Sequence, residues 1–148
     1  MKSMKTGISL ILLAAILVSV FCIPALAAEQ SITYFEDGSY VVSTIRVLPS
    51  VQAANATKSG EKTNTYYNSS NEKLYSITVI ASFTYTGSSA TATSADYTYS
   101  INNSTWSFVR GSASCSGASA TATATFRHLT ATAPASVTLT CSAAGKLS

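Results

Sequence analysis

The chain has 148 residues, of which only 10% are charged, with a formal net charge of +3, a single histidine and three cysteines. Its charges are scattered, so no basic patch points to nucleic acid or to an anionic membrane surface. One histidine excludes a His-based metal cluster, and two cysteines beside it lack the close pair spacing of a zinc site.

Lys2 and Lys5 precede an apolar run from Ile8 to Phe21, followed by Pro24 and the triplet Ala25, Leu26, Ala27. This is the pattern of a secretory signal peptide, a short leader helix that is removed. The run is shorter than the ~18 residues of a spanning helix, and the small-residue triplet places cleavage between Ala27 and Ala28. A lipid anchor on Cys22 is the rival reading, opposed by the bulky Phe21 where lipoprotein processing favours a small residue. Loss of Lys2 and Lys5 with residues 1–27 lowers the formal charge from +3 to +1. The expected mature chain is extracellular, with no later stretch apolar enough to cross a membrane as a helix.

Within 31–47, "SITYFEDGSYVVSTIRV", Asp37 and Gly38 are the favoured centre of a two-residue hairpin turn, so 28–48 reads as an N-terminal β-hairpin. An isolated hairpin is marginal, and this one is expected to pair with an edge of a larger sheet. The weakly patterned 49–62, "PSVQAANATKSGEK", reads as a linker, and 63–148 as the main domain.

That domain alternates with period two. Tyr75, Ile77, Val79, Ala81, Phe83 and Tyr85 interleave with Ser76, Thr78, Ser82 and Thr84, broken only by Ile80. Tyr97, Tyr99 and Ile101 alternate with Thr98 and Ser100; Ala118, Ala120, Ala122, Ala124 and Phe126 with Ser119, Thr121, Thr123 and Thr125; and Val137, Leu139, Cys141 and Ala143 with Thr138, Thr140 and Ser142. Strict alternation is the mark of strands burying one face. Small inward alanines allow close approach of an opposing sheet, while β-branched threonines suit the wet face. Turn-forming clusters at 68–71, 86–89, 102–104, 116–118 and 132–136 divide the segment into strands at about 63–67, 74–85, 90–101, 105–115, 119–129 and 136–144. The fold class is therefore all-β, a small antiparallel β-sandwich. An immunoglobulin-like arrangement is one candidate topology, although Trp106 precedes both Cys115 and Cys141 instead of lying between them.

The blocks "YFEDGSY", "KTNTYYNSS", "FTYTGSSAT" and "VTLTCSAAGKLS", in this order, resemble a family of small secreted β-rich proteins of Gram-positive bacteria whose function is uncharacterised. The resemblance spans most of the chain after the leader and implies an extracellular protein with no known activity, so it brings no catalytic residues. Members often carry a cysteine in the "SSAT" strand that would partner the one in "TLTCS". Here Ala92 stands at that place and the second cysteine is Cys115, so the family pairing does not transfer.

Cys115 and Cys141 form an even pair in a chain expected to be exported, for which a disulfide is the default. A simple meander would interpose the 119–129 strand and hold the two Cα atoms ~9 to 10 Å apart, beyond the ~7 Å limit for bridging. A sandwich bringing 105–115 against 136–144 across the core would permit the bond, so bridge and free thiols both stand.

Catalysis finds little to work with. His128 follows a strand, no nucleophile-elbow sequence accompanies the many serines, and Glu36 and Asp37 adjoin at a hairpin tip, where neighbours point apart and make a poor acid–base pair. The glycine-containing stretches lack phosphate-loop spacing. The expected protein is thus non-enzymatic, without metal or cofactor. Its tyrosines and its tryptophan are the residues that suit recognition, by stacking on sugars or seating a protein. Core packing accounts for most of them, but Tyr66 and Tyr67 are consecutive, so one must face outward. Tyr66, Tyr67 and Trp106 are the candidate binding surface, for a cell-surface glycan or a protein partner.

Overall fold

A computed structural model describes residues 28–49 and 56–148; the expected leader, residues 1–27, lies outside the described residues, and the cleavage expected between Ala27 and Ala28 falls at their boundary. Eight strands follow in chain order: β1 (Glu29–Tyr34), β2 (Tyr40–Leu48), β3 (Thr57–Tyr67), β4 (Lys73–Tyr85), β5 (Ala90–Ile101), β6 (Trp106–Ser116), β7 (Ser119–His128) and β8 (Ala131–Thr140). They form two antiparallel sheets in consecutive order, β1-β2-β3-β4-β5 and β6-β7-β8. Each sheet is a plain meander, without the strand exchange that defines an immunoglobulin-type Greek key. β7 packs on β4 and β5, and β8 on β3 and β4.

The period-two reading of the core holds along β4, β7 and β8, except that Ser76 is buried too, while Tyr99 of β5, expected inside, is 45% exposed. Tyr75, Ile77, Val79, Ala81 and Phe83 face inward from β4, and Ala120, Ala122, Ala124 and Phe126 from β7. Ala135, Val137, Leu139 and Cys141 complete the floor. Between them, Thr123 is exposed and Thr121 and Thr125 are half-buried. On the outer side of the smaller sheet the hydroxyls pair across strands, Thr121 with Thr138 at 2.9 Å and Ser119 with Thr140 at 3.0 Å.

Two glycines let the sheets close. A Cβ on Gly60 would lie 2.3 Å from Cδ1 of Leu147, and one on Gly111 2.6 Å from the ring of Tyr97. In each case a large side chain from elsewhere fills the space that the missing Cβ leaves, which offsets the weakness of glycine in a strand.

Three tight loops share one geometry. The amides of Phe35, Asn68 and Ser142 donate to the carbonyls of Ser39, Glu72 and Lys146, while those of Gly38, Asn71 and Gly145 donate back three residues. Gly38, Asn71 and Gly145 have φ of 80°, 63° and 80°. This is the three-residue hairpin loop closed by a left-handed residue. It corrects the two-residue turn expected at Asp37 and Gly38, because the loop spans Glu36 to Gly38 and returns the chain at Ser39.

The 28–48 hairpin is no separate appendage, since β2 pairs with β3 along its whole length, from Tyr40↔Tyr67 to Leu48↔Ser59. The expected linker is also too long. Residues 57–62 belong to β3, where the lack of apolar alternation reflects Gly60 on the inner face and the Arg46–Glu61 ion pair (2.6 Å) on the outer.

The last strand runs 131–140, not 136–144, and the cluster at 132–136 lies inside it. Pro134 is tolerated because β8 is an edge strand. The turn falls instead at Leu129, which is 79% exposed with φ 54°. Beyond Cys141 the chain doubles back, and Leu147 returns to the core opposite it.

This register makes a direct prediction. Ala122→Lys places a charge in the core and should cost several kcal/mol, on the order of 3 or more, whereas Thr123→Lys should change stability by less than about 1 kcal/mol. Urea unfolding of the two variants measures the difference, and equal losses would refute the register.

Candidate functional site

The expected surface of Tyr66, Tyr67 and Trp106 is divided between two faces. Tyr66 lies opposite Tyr75 in the β3–β4 ladder, and the register then shifts at Tyr67, which pairs with Lys73. Tyr66 therefore points inward, its ring stacked on Tyr75 at 4.9 Å. Trp106 meets the same Tyr75 from the other sheet at 4.7 Å, and Tyr75 stacks on Phe126 at 4.1 Å. Tyr66 and Trp106 are thus the half-buried rim of an aromatic core cluster, on a different side of the sheet from Tyr67.

Tyr67 is the outward member of the pair. It stacks face to face on Tyr40, with centroids 4.8 Å apart and planes 3° from parallel, and Tyr40 meets Tyr34 at 5.3 Å. The three are register partners, Tyr34↔Tyr40 and Tyr40↔Tyr67, so they form one row across β1, β2 and β3 on the outer face. Sequence reading missed Tyr34 and Tyr40. The two-residue turn expected at Asp37 and Gly38 would set Tyr40 opposite Phe35, and only the three-residue loop brings Tyr34 and Tyr40 opposite each other.

The row ends at the open edge of the larger sheet. Every residue of β1 is exposed. Ile32 (49%), Tyr34 (69%) and Phe35 (48%) are half of the six large apolar side chains exposed among the described residues.

The inner face under this wing is mixed, with Val41 buried and Ile45 packed against the core on either side of a polar pair. Ser43 donates to Oδ1 of Asn64 at 2.7 Å, and Nδ2 of Asn64 donates to the Ser136 carbonyl at 2.8 Å. This chain ties β2 and β3 to the edge of β8. Burial pushes the Tyr66 hydroxyl above its ordinary pKa, opposed by hydrogen bonds with the Ser136 backbone and Asn64.

Cys115 and Cys141 are both free thiols. The bridge fails because the meander is real: Cys115 pairs with Ala120, and Ala120 pairs with Leu139 on the far side. One whole strand intervenes, which sets the two thiol-bearing strands ~9 to 10 Å apart. Cys141 is buried, its thiol donating to the Ser142 carbonyl at 3.4 Å, and burial raises its pKa. Ala92 and Cys141 are both core residues whose amides donate to the consecutive carbonyls of Gly117 and Ala118.

His128 stacks on Trp106 at 5.1 Å. Among the described residues no hydrogen bond joins it to Asp37 or Asp96. Asp37 instead accepts from the hydroxyl and amide of Ser39, which lower its pKa, and Asp96 accepts from the Tyr97 amide. Of the described depressions, one is lined by Ala56, Tyr85, Gly87 and Ala143, a second by Arg110, Ser112, Thr123 and Pro134, and a third, at β1 and β2, by Glu29, Ser31, Ser43, Ile45 and Lys62. None of the three includes His128. Comparison with protein-family models, curated proteins and solved structures yields no match for the chain.

The aromatic cluster gives the fold a pH dependence. Burial, reinforced by Tyr66, pushes Tyr75 up to about 12, against ~10 in an unfolded chain. The folded state then holds a proton that the unfolded state releases, so stability is complete below pH ~10 and is lost as pH rises toward 12. Tyr75→Phe should fold normally at neutral pH and lose less stability over that interval. Urea midpoints at successive alkaline pH values measure it, and identical pH profiles for the two proteins would contradict the assignment.

Proposed function

We propose that the protein is a secreted or surface-associated interaction module without enzymatic chemistry, and that it binds through the outer face of its N-terminal wing. The leader pattern with its cleavage position between Ala27 and Ala28, and the resemblance to small secreted proteins, support the extracellular setting. The observation that carries the reading is the row Tyr34–Tyr40–Tyr67, with the exposed Ile32 beside Tyr34 on the same face and the exposed Phe35 at the adjoining loop. A monomer has no packing use for apolar side chains left in water at a sheet edge, and concentrated patches of this kind mark contact surfaces.

A glycan is the ligand class that the row suits as a second reading. Tyr40 and Tyr67 cover each other, but Tyr34 is tilted 41° from Tyr40 and is 69% exposed, leaving a ring face free for a sugar. Gln30 and Thr65 lie on the same face by register and supply amide and hydroxyl groups beside it.

Retention of the purified protein on insoluble cell-wall polysaccharide and on whole cells tests both readings. Tyr34→Ala combined with Phe35→Ser should reduce retention roughly tenfold, the effect of removing one aromatic anchor. Loss on cells and polysaccharide alike identifies a glycan, and loss on cells alone a protein partner. Undiminished retention of the double variant on both would refute the wing as the binding element.

A further inference from the structure

Of the four edge strands, β5 and β6 lie beside each other, with Tyr97 and Tyr99 packed on Phe108, and the remaining two, β1 and β8, are treated differently. β8 is blunted three times over: Pro134 lies within it, the Asn64 amide caps the Ser136 carbonyl at 2.8 Å, and Ser148 pairs with Thr140 through two backbone hydrogen bonds of 2.9 Å. These devices stop a sheet from recruiting further strands. β1, with the sequence EQSITY, has neither proline nor lysine, and its register with β2 runs uninterrupted from Glu29↔Ile45 to Tyr34↔Tyr40. Among the described residues nothing lies beyond it.

The direction of its free backbone groups follows from the loop. The Phe35 amide donates to the Ser39 carbonyl, so 35 and 39 are a hydrogen-bonded pair. Alternation along an antiparallel ladder then makes Thr33↔Val41 and Ser31↔Ser43 hydrogen-bonded pairs, and turns the N–H and C=O groups of Gln30, Ile32 and Tyr34 away from β2. These three residues present a complete, unsatisfied ladder. Ile32 and Tyr34 are also the exposed apolar side chains of the strand.

We propose that the β1 edge pairs with the β1 edge of a second copy of this chain, antiparallel about a two-fold axis through Ile32. This register is the one that uses every free group within β1, because Ile32 faces the partner's Ile32 and Gln30 faces the partner's Tyr34 in both directions. It joins two five-stranded sheets into one continuous sheet and covers Ile32 with its own counterpart. Charge fits as well. With the leader removed before Ala28, the new α-ammonium group comes level with the partner's Glu36, twice by symmetry, and the nearly neutral remainder of the chain adds little repulsion between copies. The pairing takes up the edge and Ile32 but leaves the rings of Tyr34, Tyr40 and Tyr67 on the outer face, so it does not depend on which ligand the tyrosine row binds.

A disulfide probe reads this register. In a hydrogen-bonded antiparallel pair the facing Cα atoms lie ~5.5 Å apart, within the reach of a disulfide, whereas two copies of residue 30 would be offset by ~13 Å. On a Cys115→Ser background, which removes the exposed native thiol, Ile32→Cys should yield a covalent dimer under mild oxidation and Gln30→Cys should not. Sedimentation of the otherwise unaltered chain from Ala28 should show a concentration-dependent dimer, which Ile32→Pro abolishes. The lost amide is one that points away from β2, so circular dichroism of that variant should match the parent. A strictly monomeric chain at every concentration would overturn the proposal, as would equal cross-linking at positions 30 and 32.

Discussion

The structure depends on how closely two unequal sheets approach, and that distance is set by the alanines of β7. Ala120, Ala122 and Ala124 are 5% exposed or less and share one core with Ile77, Val79 and Phe83 of β4. Large side chains from one sheet against methyl groups from the other give a thin, dense interior, where packing matters to single methylene groups. The glycines extend the same principle, since Leu147 and Tyr97 occupy the volumes that side chains at Gly60 and Gly111 would need. At one end of the core alanine gives way to aromatic rings, where Tyr66 and Phe126 stack on Tyr75 and Trp106 meets it at a tilt of 53°.

Unequal sheet width then dictates where recognition can occur. Three strands cover β3, β4 and β5, so β1 and the outer part of β2 project past the core. The inner side of this overhang is tied down through Ser43 and Asn64 beside the buried Val41, while the outer side carries the tyrosine row. Face and edge offer different chemistry, aromatic rings on one and unpaired peptide groups on the other. On the two proposals made above, a ligand and a second copy would engage different parts of one hairpin, the ring faces and the peptide edge.

How much of this was legible in the sequence followed from how strictly each strand alternates. The 90–101 strand was read with both ends correct, and β4 began one residue earlier than expected, because their apolar and polar sets separate cleanly. The first half of β3 was invisible, since "TKSGEK" has a glycine where an apolar residue would signal the core. Pro134 was read as a turn because the sequence does not announce that its strand is an edge, and Ala143 prolonged an alternation that the structure ends at a glycine-closed loop. The division of Tyr66 from Tyr67 was foreseen, but not which faced outward, because that choice depends on register with β4. The bridge between Cys115 and Cys141 turned on strand order, a property of the assembled sheet and not of any local stretch.

The claim that small side chains on β7 set the sheet separation is tested most directly by enlarging one of them. Ala122→Val adds apolar surface and β propensity, both of which favour a strand. Urea unfolding should nevertheless show a loss of about 1 to 3 kcal/mol, the usual cost of overpacking a closed core. An unchanged or raised unfolding midpoint would mean that the sheets have room to spare, and would contradict the account.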